Sequence, residues 1–496
     1  MYTNKLKVAL GTMLSAVSIA SIGSFVVACQ NPTDKWDTTI TINNAWVNDG
    51  FFNKLDYDTG AVTEGQKSKE FVDLLTKRFN EFKNQDEEAK KHKDVKFEIK
   101  VDFGKKDYFS KLEKNDSNND VYITNYSYYL DNVWDAGSSS LKKDLPFKLV
   151  SQAATLQFNW QSGDNTFYKN GMKDDELRKL AVKNNEEWLK FGEYPEWYTK
   201  EEKEFNGKKL HFDGSKYTNF YKNGDLTYVY RGAVLIAGTE EERQKIIKAW
   251  EEKKWDDFVK NGIVYEKTSS AGGYKYEVAL FARHFGKTVT EIKNDIEGKN
   301  KAYEKYIIKG KKVSEQLGKE QADAEKLVPK IGFDDEGSYN WTKSKKDSVK
   351  YKPTGFKATE NEKPAASGMT NGKAMMVTAK PVAAKPVAAK PAAAPAAAAN
   401  GMKDKNGSVI RTLTMTNPAG YDVVLARKGL SDKQVELLSK ALNSLSLTEN
   451  TYGIYTGYNK FMPLNMDLFE KLVKLQVQAE STENLVTQIP KIDKQK

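Results

Sequence analysis

The segment TTITINNAW (residues 38–46) decides the fold class. Its isoleucines alternate onto one face, a pattern typical of a half-buried strand. Helical spacing of apolar residues predicts a helix over residues 64–91, and further strands are predicted at residues 95–101 and 120–125. This order of strand, helix and strand predicts a parallel α/β sheet.

Length and composition indicate two lobes and a binding surface rather than a basic nucleic-acid protein. The chain has 496 residues, more than one hydrophobic core usually organises. Of these residues 39% are hydrophobic, 29% charged and 11% aromatic. The net charge of +10 comes from lysines spread along the chain. Because no dense basic stripe appears, this excess favours solubility over nucleic-acid binding.

The N-terminus has the pattern of an export signal ending in a lipobox. Two lysines precede an apolar run that ends in Val-Val-Ala-Cys at Cys29, the single cysteine of the chain. We therefore predict a lipoprotein signal peptide over residues 1–29 and lipidation of Cys29, which places the mature protein on the outer face of the cell membrane. The alternative is a simple membrane anchor over residues 8–28, which is nearly long enough to span a bilayer.

The rest of the chain continues the α/β pattern with one interruption. One long strand is predicted at residues 226–238, a strand plus loop at 330–341, and strands at 408–417 and 421–429. Residues 363–407 are rich in proline and alanine, with PVAAK repeated twice. Such a composition favours an extended, exposed insert without a core of its own.

The sequence offers little support for an enzyme. The histidines His92, His211 and His284 lie far apart, so a zinc site is not predicted, and no nucleophile elbow or Walker loop is present. The acidic run at residues 334–336 is interpreted as solvated carboxylates. We predict no catalytic residues, no metal site and no cofactor.

The segment EKTSSAGGYKYEVALF (residues 266–281) runs from hydroxyls and glycines into a predicted helix. Three hydroxyl groups, at Thr268, Ser269 and Ser270, precede Gly272 and Gly273. Free N–H groups at a helix start favour an anion, so the loop has the parts of a phosphate cradle. An ordinary helix cap with a glycine turn explains the same residues, and local sequence leaves both interpretations open.

Six motifs make the chain resemble a known family. They are NNAWVN (43–48), YRGAVLIAG (230–238), KAWEEKKWDDF (248–258), DEGSYNWT (335–342), TNPAGYDVVLARK (416–428) and TYGIYTGYNKF (451–461). In this order they resemble the CypI family of mycoplasmal high-affinity transport lipoproteins, which bind thiamine diphosphate. The chain is more distantly similar to the phosphonate-binding proteins of ABC importers, whose hydroxyl-and-glycine loop matches residues 268–274.

The resemblance implies a type II periplasmic-binding-protein-like fold, in which two α/β lobes are joined by two crossing hinge strands. Residues 226–238 are then the outbound crossing and residues 408–427 the return. The expected division is lobe 1 at residues 30–225 and 424–496, and lobe 2 at residues 226–423, with the Pro/Ala-rich insert inside lobe 2.

The resemblance also implies a ligand, thiamine diphosphate or a related phosphorylated molecule, and each part of that ligand needs a partner. Loop residues 268–274, ending at Tyr274, would hold the phosphates. Arg231 would either reach the phosphate or form a hinge salt bridge. Aromatic candidates, each equally suited to core or cleft, are Trp46, Tyr126, Tyr339 and Trp341. Polar candidates for the ring are Asn48, Asn125, Ser338 and Asp422.

The implied function is capture of the ligand by lobe closure, without chemistry. The implied partners are an ABC permease and its ATPase, with the protein acting as a lipid-anchored monomer that binds no nucleic acid. Three alternatives remain at this stage: a protein that binds phosphonates or other phosphate compounds, a surface adhesin that reuses the fold, and an exported hydrolase.

Overall fold

The computed structural model describes residues 36–44, 47–56, 59–102, 107–161, 165–190, 192–194, 204–205, 208–209, 220–320, 327–338, 349–357 and 407–492. The predicted signal peptide with Cys29, the aromatic candidates Trp46, Tyr339 and Trp341, His211, and the insert up to residue 406 lie outside these residues.

The described residues form strands and helices that alternate along the chain. The strands are β1 Thr39–Asn44, β2 Lys54–Leu55, β3 Val62–Thr63, β4 Lys96–Val101, β5 Val121–Thr124, β6 Trp134–Asp135, β7 Ser140–Leu141, β8 Phe147–Phe158, β9 Glu204–Phe205, β10 Lys208–Lys209, β11 Tyr221–Thr227, β12 Val229–Tyr230, β13 Gly232–Gly238, β14 Ile263–Tyr265, β15 Ile307–Lys309, β16 Ile331–Asp335, β17 Val409–Met415, β18 Ala419–Gly420, β19 Val423–Arg427 and β20 Lys460–Met462. The α-helices are α1 Gln66–Gln85, α2 Tyr108–Glu113, α3 Leu130–Val133, α4 Glu176–Leu189, α5 Glu240–Glu251, α6 Trp255–Val259, α7 Tyr276–Phe285, α8 Val289–Ile296, α9 Val313–Gln316, α10 Asp432–Ser444, α11 Gly453–Thr456 and α12 Met466–Glu480.

The first lobe is built on a seven-stranded sheet. Its order is β11-β8-β19-β5-β1-β4, with β20 pairing beside β8. Strands β4 and β5 both run parallel to β1, which confirms the parallel sheet predicted from the N-terminal strand–helix–strand order. Helix α1 buries Phe71, Leu75 and Phe79 in the core of this lobe. Their spacing of four residues is the helical period that places all three on one face.

The second lobe is built on a five-stranded sheet of order β15-β14-β16-β13-β17. Helices α5, α6 and α7 cover one face and bury Trp250, Phe258 and Phe281 against the buried strand β13. Both faces of β13 are covered, since every one of its residues is buried. The described residues therefore form two large sheets, each with its own helices and core, as expected for an α/β protein of two lobes.

Two antiparallel crossing segments join the lobes. The single long strand predicted at residues 226–238 is wrong in detail: β11 belongs to the first sheet, β13 to the second, and the short strand β12 lies between them. The return path mirrors this arrangement, because β17 lies in the second sheet, β19 in the first, and β18 pairs with β12. The breaks fall where the chain turns from one sheet to the other. This topology confirms the two-lobe type II fold.

Part of the segment assigned to the first lobe packs instead on the second. Helix α4 lies against β17, and Asn185 exchanges hydrogen bonds of 2.9 Å and 2.8 Å with the backbone of Thr412. Asn184 of the same helix accepts a bond of 2.7 Å from the Thr412 hydroxyl. The predicted lobe boundary at residue 225 thus assigns α4 to the first lobe, although α4 packs on the second. Long-range packing, not chain order, decides which sheet a helix covers.

The residues that flank the Pro/Ala-rich insert meet on the second lobe. Phe356 and Ser408 form an isolated β-bridge, and the Ser408 N–H donates a bond of 3.1 Å to the carbonyl of Gly355. The chain therefore leaves and rejoins the lobe at one place.

Candidate ligand-binding cleft

A cleft of about 260 Å³ lies where the crossing strands pass between the two sheets. Both lobes and both crossing segments contribute to its walls. The lining residues are Asn125, Tyr128, Thr155, Phe158, Val229, Tyr230, Ser270, Ala271, Gly272, Asp335, Glu336, Gly337, Tyr421, Asp422, Thr456 and Tyr458. This position matches the rule that ligands of open α/β sheets bind in crevices near strand ends.

Asp422 is a fixed carboxylate in the wall of the cleft. It lies between β18 and β19 on the return crossing. The hydroxyl of Tyr458 donates a hydrogen bond of 2.6 Å to Oδ2, and the Asn125 amide donates one of 3.2 Å to Oδ1. Asn125 is itself held by a bond of 2.8 Å from the Ser127 N–H to its Oδ1. A carboxylate held in this way presents a defined negative charge to a ligand.

Tyrosine rings surround that carboxylate. The ring of Tyr421 lies edge-on to those of Tyr230 and Tyr458, with centroids 5.9 Å and 5.8 Å away. Burial, followed by the charge of Asp422, raises the pKa of Tyr421 and of Tyr458, so both hydroxyls keep their protons. Neutral aromatic rings beside a carboxylate suit a flat or cationic group, which gains from both ring faces and charge.

The hydroxyl-and-glycine loop forms another wall. The Oγ of Ser270 accepts a hydrogen bond of 3.2 Å from the Gly273 N–H, and a π-helical turn, Ala271–Lys275, leads into α7. Gly272 lies close to Tyr230, because a Cβ on this glycine would lie 3.2 Å from Cε2 of the ring. Ser270 therefore caps the helix, as an ordinary helix cap predicts, and the same residue lines the cleft; the phosphate cradle stays a prediction.

A lysine on this loop connects the lobes at the cleft. Nζ of Lys275 donates bonds of 2.7 Å to Oγ of Ser127 and 3.2 Å to its carbonyl oxygen. The same Nζ lies 3.3 Å from Glu480 at the end of α12. Next to it, the hydroxyls of Tyr230 and Tyr276 are 2.7 Å apart. Polar contacts therefore couple the second lobe to the first beside the cleft.

The remaining charged wall is acidic. Glu336 is buried and accepts bonds from Trp160 Nε1 (2.9 Å), Gln161 Nε2 (3.0 Å) and the Arg231 N–H (3.0 Å). Burial raises the pKa of Glu336, and the Arg231 guanidinium opposes that rise. Among the described lining residues there are three carboxylates and no lysine or arginine. Across the described ranges, no group of three or more His, Cys, Asp or Glu side chains is placed to hold a metal ion.

The structure brings four of the candidate site residues together in the cleft: Asn125, Ser270, Gly272 and Asp422. Thr268 is exposed and Ser269 half-buried, and neither lines the cleft. Gly273 contributes its N–H to the Ser270 cap instead. Ser338 lies just past the lining residue Gly337, and its hydroxyl bonds to the Asp335 carbonyl.

Two aromatic candidates belong to the cores. Tyr126 is completely buried and donates a bond of 2.7 Å to Gln152. Tyr274 packs in the second-lobe core and donates a bond of 2.6 Å to Glu297. Of the two placements predicted for Tyr126, core or cleft, the core is the one observed, and the ring of Tyr274, at the end of the predicted phosphate loop, also packs inward. Large aromatic side chains pack in a core when the adjoining core has room for them.

Arg231 and Asn48 also lie away from the cleft lining. Arg231 follows Tyr230 on the crossing, so alternation directs the two side chains to opposite sides, and its Nη2 donates a bond of 3.2 Å to the carbonyl of Thr166. This contact with a backbone carbonyl is neither a phosphate contact nor the predicted hinge salt bridge. Asn48 is completely buried, and among the described residues neither polar atom of its side chain has a hydrogen-bond partner.

Sequence reasoning missed most of the tyrosines and acids of the cleft. The missed lining residues are Tyr128, Thr155, Phe158, Val229, Tyr230, Ala271, Asp335, Glu336, Gly337, Tyr421, Thr456 and Tyr458. One signal could have identified several of them, because they lie next in sequence to predicted site residues. No local pattern pointed to Tyr458, which reaches Asp422 from the C-terminal segment.

The two sheets, the paired crossings and the cleft between them define a substrate-binding protein of two lobes. The profile of the family of extracytoplasmic thiamine-binding lipoproteins, CypI, matches residues 69–479. The chain therefore belongs to this family, which confirms the resemblance found in the sequence motifs and places it with extracytoplasmic transport proteins rather than enzymes.

Individual relatives agree with this assignment. The high affinity transport system protein p37 of Mycoplasma pneumoniae is 26% identical over 334 residues, covering 66% of this chain and 71% of the relative. The protein of the same name from Mesomycoplasma hyorhinis is 24% identical, covering 92% and 97%. The solved structure of Mycoplasma hyorhinis Mh-p37, a candidate thiamine pyrophosphate transporter, gives a TM-score of 0.62 at 21% identity, covering 90% of this chain and 99% of that one. Within the described ranges, no helix has the length and apolar character needed to cross a bilayer.

Proposed function

We propose that this protein captures thiamine diphosphate, or a closely related phosphorylated molecule, in the cleft and delivers it to an ABC importer. The observation that carries the proposal is the pairing of two unlike subsites in one cleft. A carboxylate among tyrosine rings lies in one wall, and a helix-start loop with a hydroxyl and a glycine lies in another.

The Asp422 subsite suits the cationic, aromatic half of the ligand. Thiamine diphosphate carries a positively charged thiazolium ring and a flat aminopyrimidine. Tyr230, Tyr421 and Tyr458 supply ring surfaces, and Asp422 supplies the opposing charge. A simple phosphonate has no cationic ring, so this subsite favours a thiamine compound over the phosphonate alternative.

The loop subsite suits the diphosphate. The Ser270 oxygen accepts from the Gly273 N–H, and a hydroxyl can in addition donate its own hydrogen to an anion. The N–H groups at the start of a helix add favourable dipoles. Lys275, which pairs with Glu480 and does not line the cleft, adds a positive charge nearby.

Delivery follows from lobe closure. Because the cleft is lined by both lobes, a ligand contacts both only in the closed state and so favours that state. A permease and an ATPase then act on the closed form. Lipidation of Cys29, on the outer face of the cell membrane, would keep the binding protein near that permease.

The test is calorimetric titration of the purified mature protein with thiamine diphosphate, thiamine, inorganic pyrophosphate and methylphosphonate. We expect one-to-one binding, with thiamine diphosphate binding at least about tenfold more tightly than either half alone, because only it occupies both subsites. Mass spectrometry of small molecules released on denaturation checks the natural cargo. Absence of binding by all four compounds refutes the proposal, and preference for methylphosphonate supports the phosphonate alternative.

A further inference from the structure

A buried carboxyl group lies directly behind the hydroxyl-and-glycine loop. Glu277 is in the first turn of α7, which continues directly from the π-helical turn Ala271–Lys275. Its side chain is 0% exposed, and among the described residues neither carboxyl oxygen has a hydrogen-bond partner of ordinary geometry. Unpartnered buried carboxyl groups are rare in folded proteins and call for a specific explanation.

The carboxyl group fills a space that only glycine leaves open. A Cβ built on Gly232, at the start of β13, would lie 2.1 Å from Oε1 of Glu277 and 2.9 Å from the carbonyl oxygen of Gly272. The Glu277 side chain and the Gly272 carbonyl therefore both pack close to Gly232. A change in the Glu277 side chain would alter the packing beside Gly272, which lines the cleft.

The charges around Glu277 oppose its ionisation. The charges of Asp334 and Asp335 on β16 disfavour the ionised form of Glu277, whereas Gly232 and Ala233 of β13 carry no charge. The nearby cations are engaged elsewhere: Arg231 lies with Glu336, and Lys275 pairs with Glu480. Burial first, and then the two aspartates, raise the pKa of Glu277 well above its usual range.

We propose that Glu277 is a positioning residue of the cleft: as an uncharged acid it fills the space beside Gly232 and so keeps the loop around Ser270 and Gly272 in place. This inference rests on the proposed function only in its use of thiamine diphosphate as the titrated ligand. Burying an ionised carboxylate without a partner is costly, whereas the neutral acid fills the same space at a much smaller cost.

The test compares Glu277→Ala, Glu277→Gln and Gly232→Ala with the exposed control Glu241→Gln in full-length mature protein. Hydrogen–deuterium exchange of the peptide containing residues 268–275, measured without ligand, reports loop order directly. We expect faster exchange in Glu277→Ala and Gly232→Ala, and protection near that of the wild type in Glu277→Gln and the control. Titration with thiamine diphosphate should show at least about tenfold weaker binding for Glu277→Ala and recovery of most of that loss in Glu277→Gln.

The outcomes separate this inference from the proposed function. If the wild type binds no thiamine diphosphate but loop exchange responds as expected, the ligand assignment fails and the positioning role stands. Unchanged loop exchange in both Glu277→Ala and Gly232→Ala overturns the role. So does about tenfold weaker binding in Glu277→Gln with an unaltered melting temperature, because the charged form would then be required. Between about pH 6 and pH 8 the affinity of the wild type should parallel that of Glu277→Gln.

Discussion

Tyr458 donates a hydrogen bond of 2.6 Å to Asp422, and this contact joins the C-terminal segment to the return crossing at the cleft. Tyr458 lies in the connection before β20, and Asp422 lies in the connection before β19. The carboxylate is therefore oriented by a group distant from it along the chain. A substitution at Asp422 therefore tests most directly the subsite proposed for the cationic half of the ligand.

Asp422→Asn should weaken thiamine diphosphate binding by roughly 10- to 100-fold, because a contact with a charged group is worth about 1.5–3 kcal/mol. Binding of inorganic pyrophosphate should change little, since that ligand has no cationic ring. Calorimetric titration of both ligands checks this. Asp257→Asn, at an exposed position of α6, is the control. Equal losses for both ligands would show that Asp422 does not recognise the ring.

Ser270→Ala and Ser269→Ala should separate two neighbouring hydroxyls that the sequence treats alike. Ser270 lines the cleft and caps the helix, whereas Ser269 does neither. Loss of the cap should lower the free energy of unfolding by about 1 kcal/mol, and pyrophosphate binding should weaken roughly tenfold. Ser269→Ala should match the wild type in urea unfolding and in titration. A larger effect at Ser269 would contradict the assignment of the loop.

Lys275→Met should favour the open arrangement of the lobes. The lysine bridges Ser127 and Glu480 of the first lobe, and methionine keeps the aliphatic length without the donors. Loss of about 1 kcal/mol of interlobe contact corresponds to roughly fivefold weaker ligand binding. Small-angle scattering should show a larger radius of gyration without ligand. Lys245→Met, on the exposed face of α5, serves as the control. An unchanged radius and affinity would exclude a bridging role.

Deletion of residues 358–406, replaced by a short glycine–serine link, should leave folding and ligand binding intact. Phe356 and Ser408, which flank the deleted residues, form a β-bridge, so a short connection spans the gap without strain. Shortening a loop alters its closure entropy only slowly with length. Circular dichroism, thermal melting and thiamine diphosphate titration check the variant. A loss of binding by a folded deletion variant would reveal a ligand role for the insert.

His284 should make stability sensitive to mild acid. Its ring is completely buried, stacks on Trp250 at 3.7 Å and donates from Nε2 to the Trp250 carbonyl at 2.7 Å. Burial lowers the pKa of His284 to about 4. Because the unfolded chain takes up the proton first, the contribution of His284 is unaffected above about pH 6.5 and is lost between about pH 6.5 and pH 4.

The measurement compares urea unfolding of the wild type and His284→Gln at pH 7 and pH 5. The stability advantage of the wild type should shrink by about 2 kcal/mol on acidification. The comparison with the variant removes the opposite effect of buried acids such as Glu277, whose raised pKa favours folding at low pH. A difference that stays constant with pH would contradict a buried neutral histidine.

Several features of the fold were predictable because they depend on local periodicity. The alternation at residues 38–46 and the helical spacing of Phe71, Leu75 and Phe79 each reflect one buried face. The strand forms over Thr39–Asn44, and the helix forms over Gln66–Gln85, six residues short of its predicted end. The long apolar run at residues 226–238 shows the limit of this reasoning. Its division among three sheets depends on partner strands, and partners are not encoded by the periodicity of the run.

The site was predictable where a polar residue directly follows a strand or starts a helix. Asn125 follows β5 and Ser270 caps the turn before α7, and both line the cleft. Tyr126 and Arg231 have side chains equally suited to binding a ligand. Tyr126, however, is buried in a core and bonds to Gln152, and Arg231 bonds to the carbonyl of Thr166. The relative placement of the two lobes decides which side of the backbone faces the cleft. Local sequence patterns do not specify that placement.

By itself the sequence determined the family, the α/β class and the N-terminal order of strand, helix and strand, because these depend on motifs and on periods of two or 3.6 residues. Only the tertiary structure decided that α4 covers the second sheet, that Tyr458 orients Asp422, and that Glu277 is completely buried behind the loop. Those relationships join residues far apart in the chain or depend on how completely a side chain is desolvated. They arise from packing of the two lobes, which no local pattern specifies.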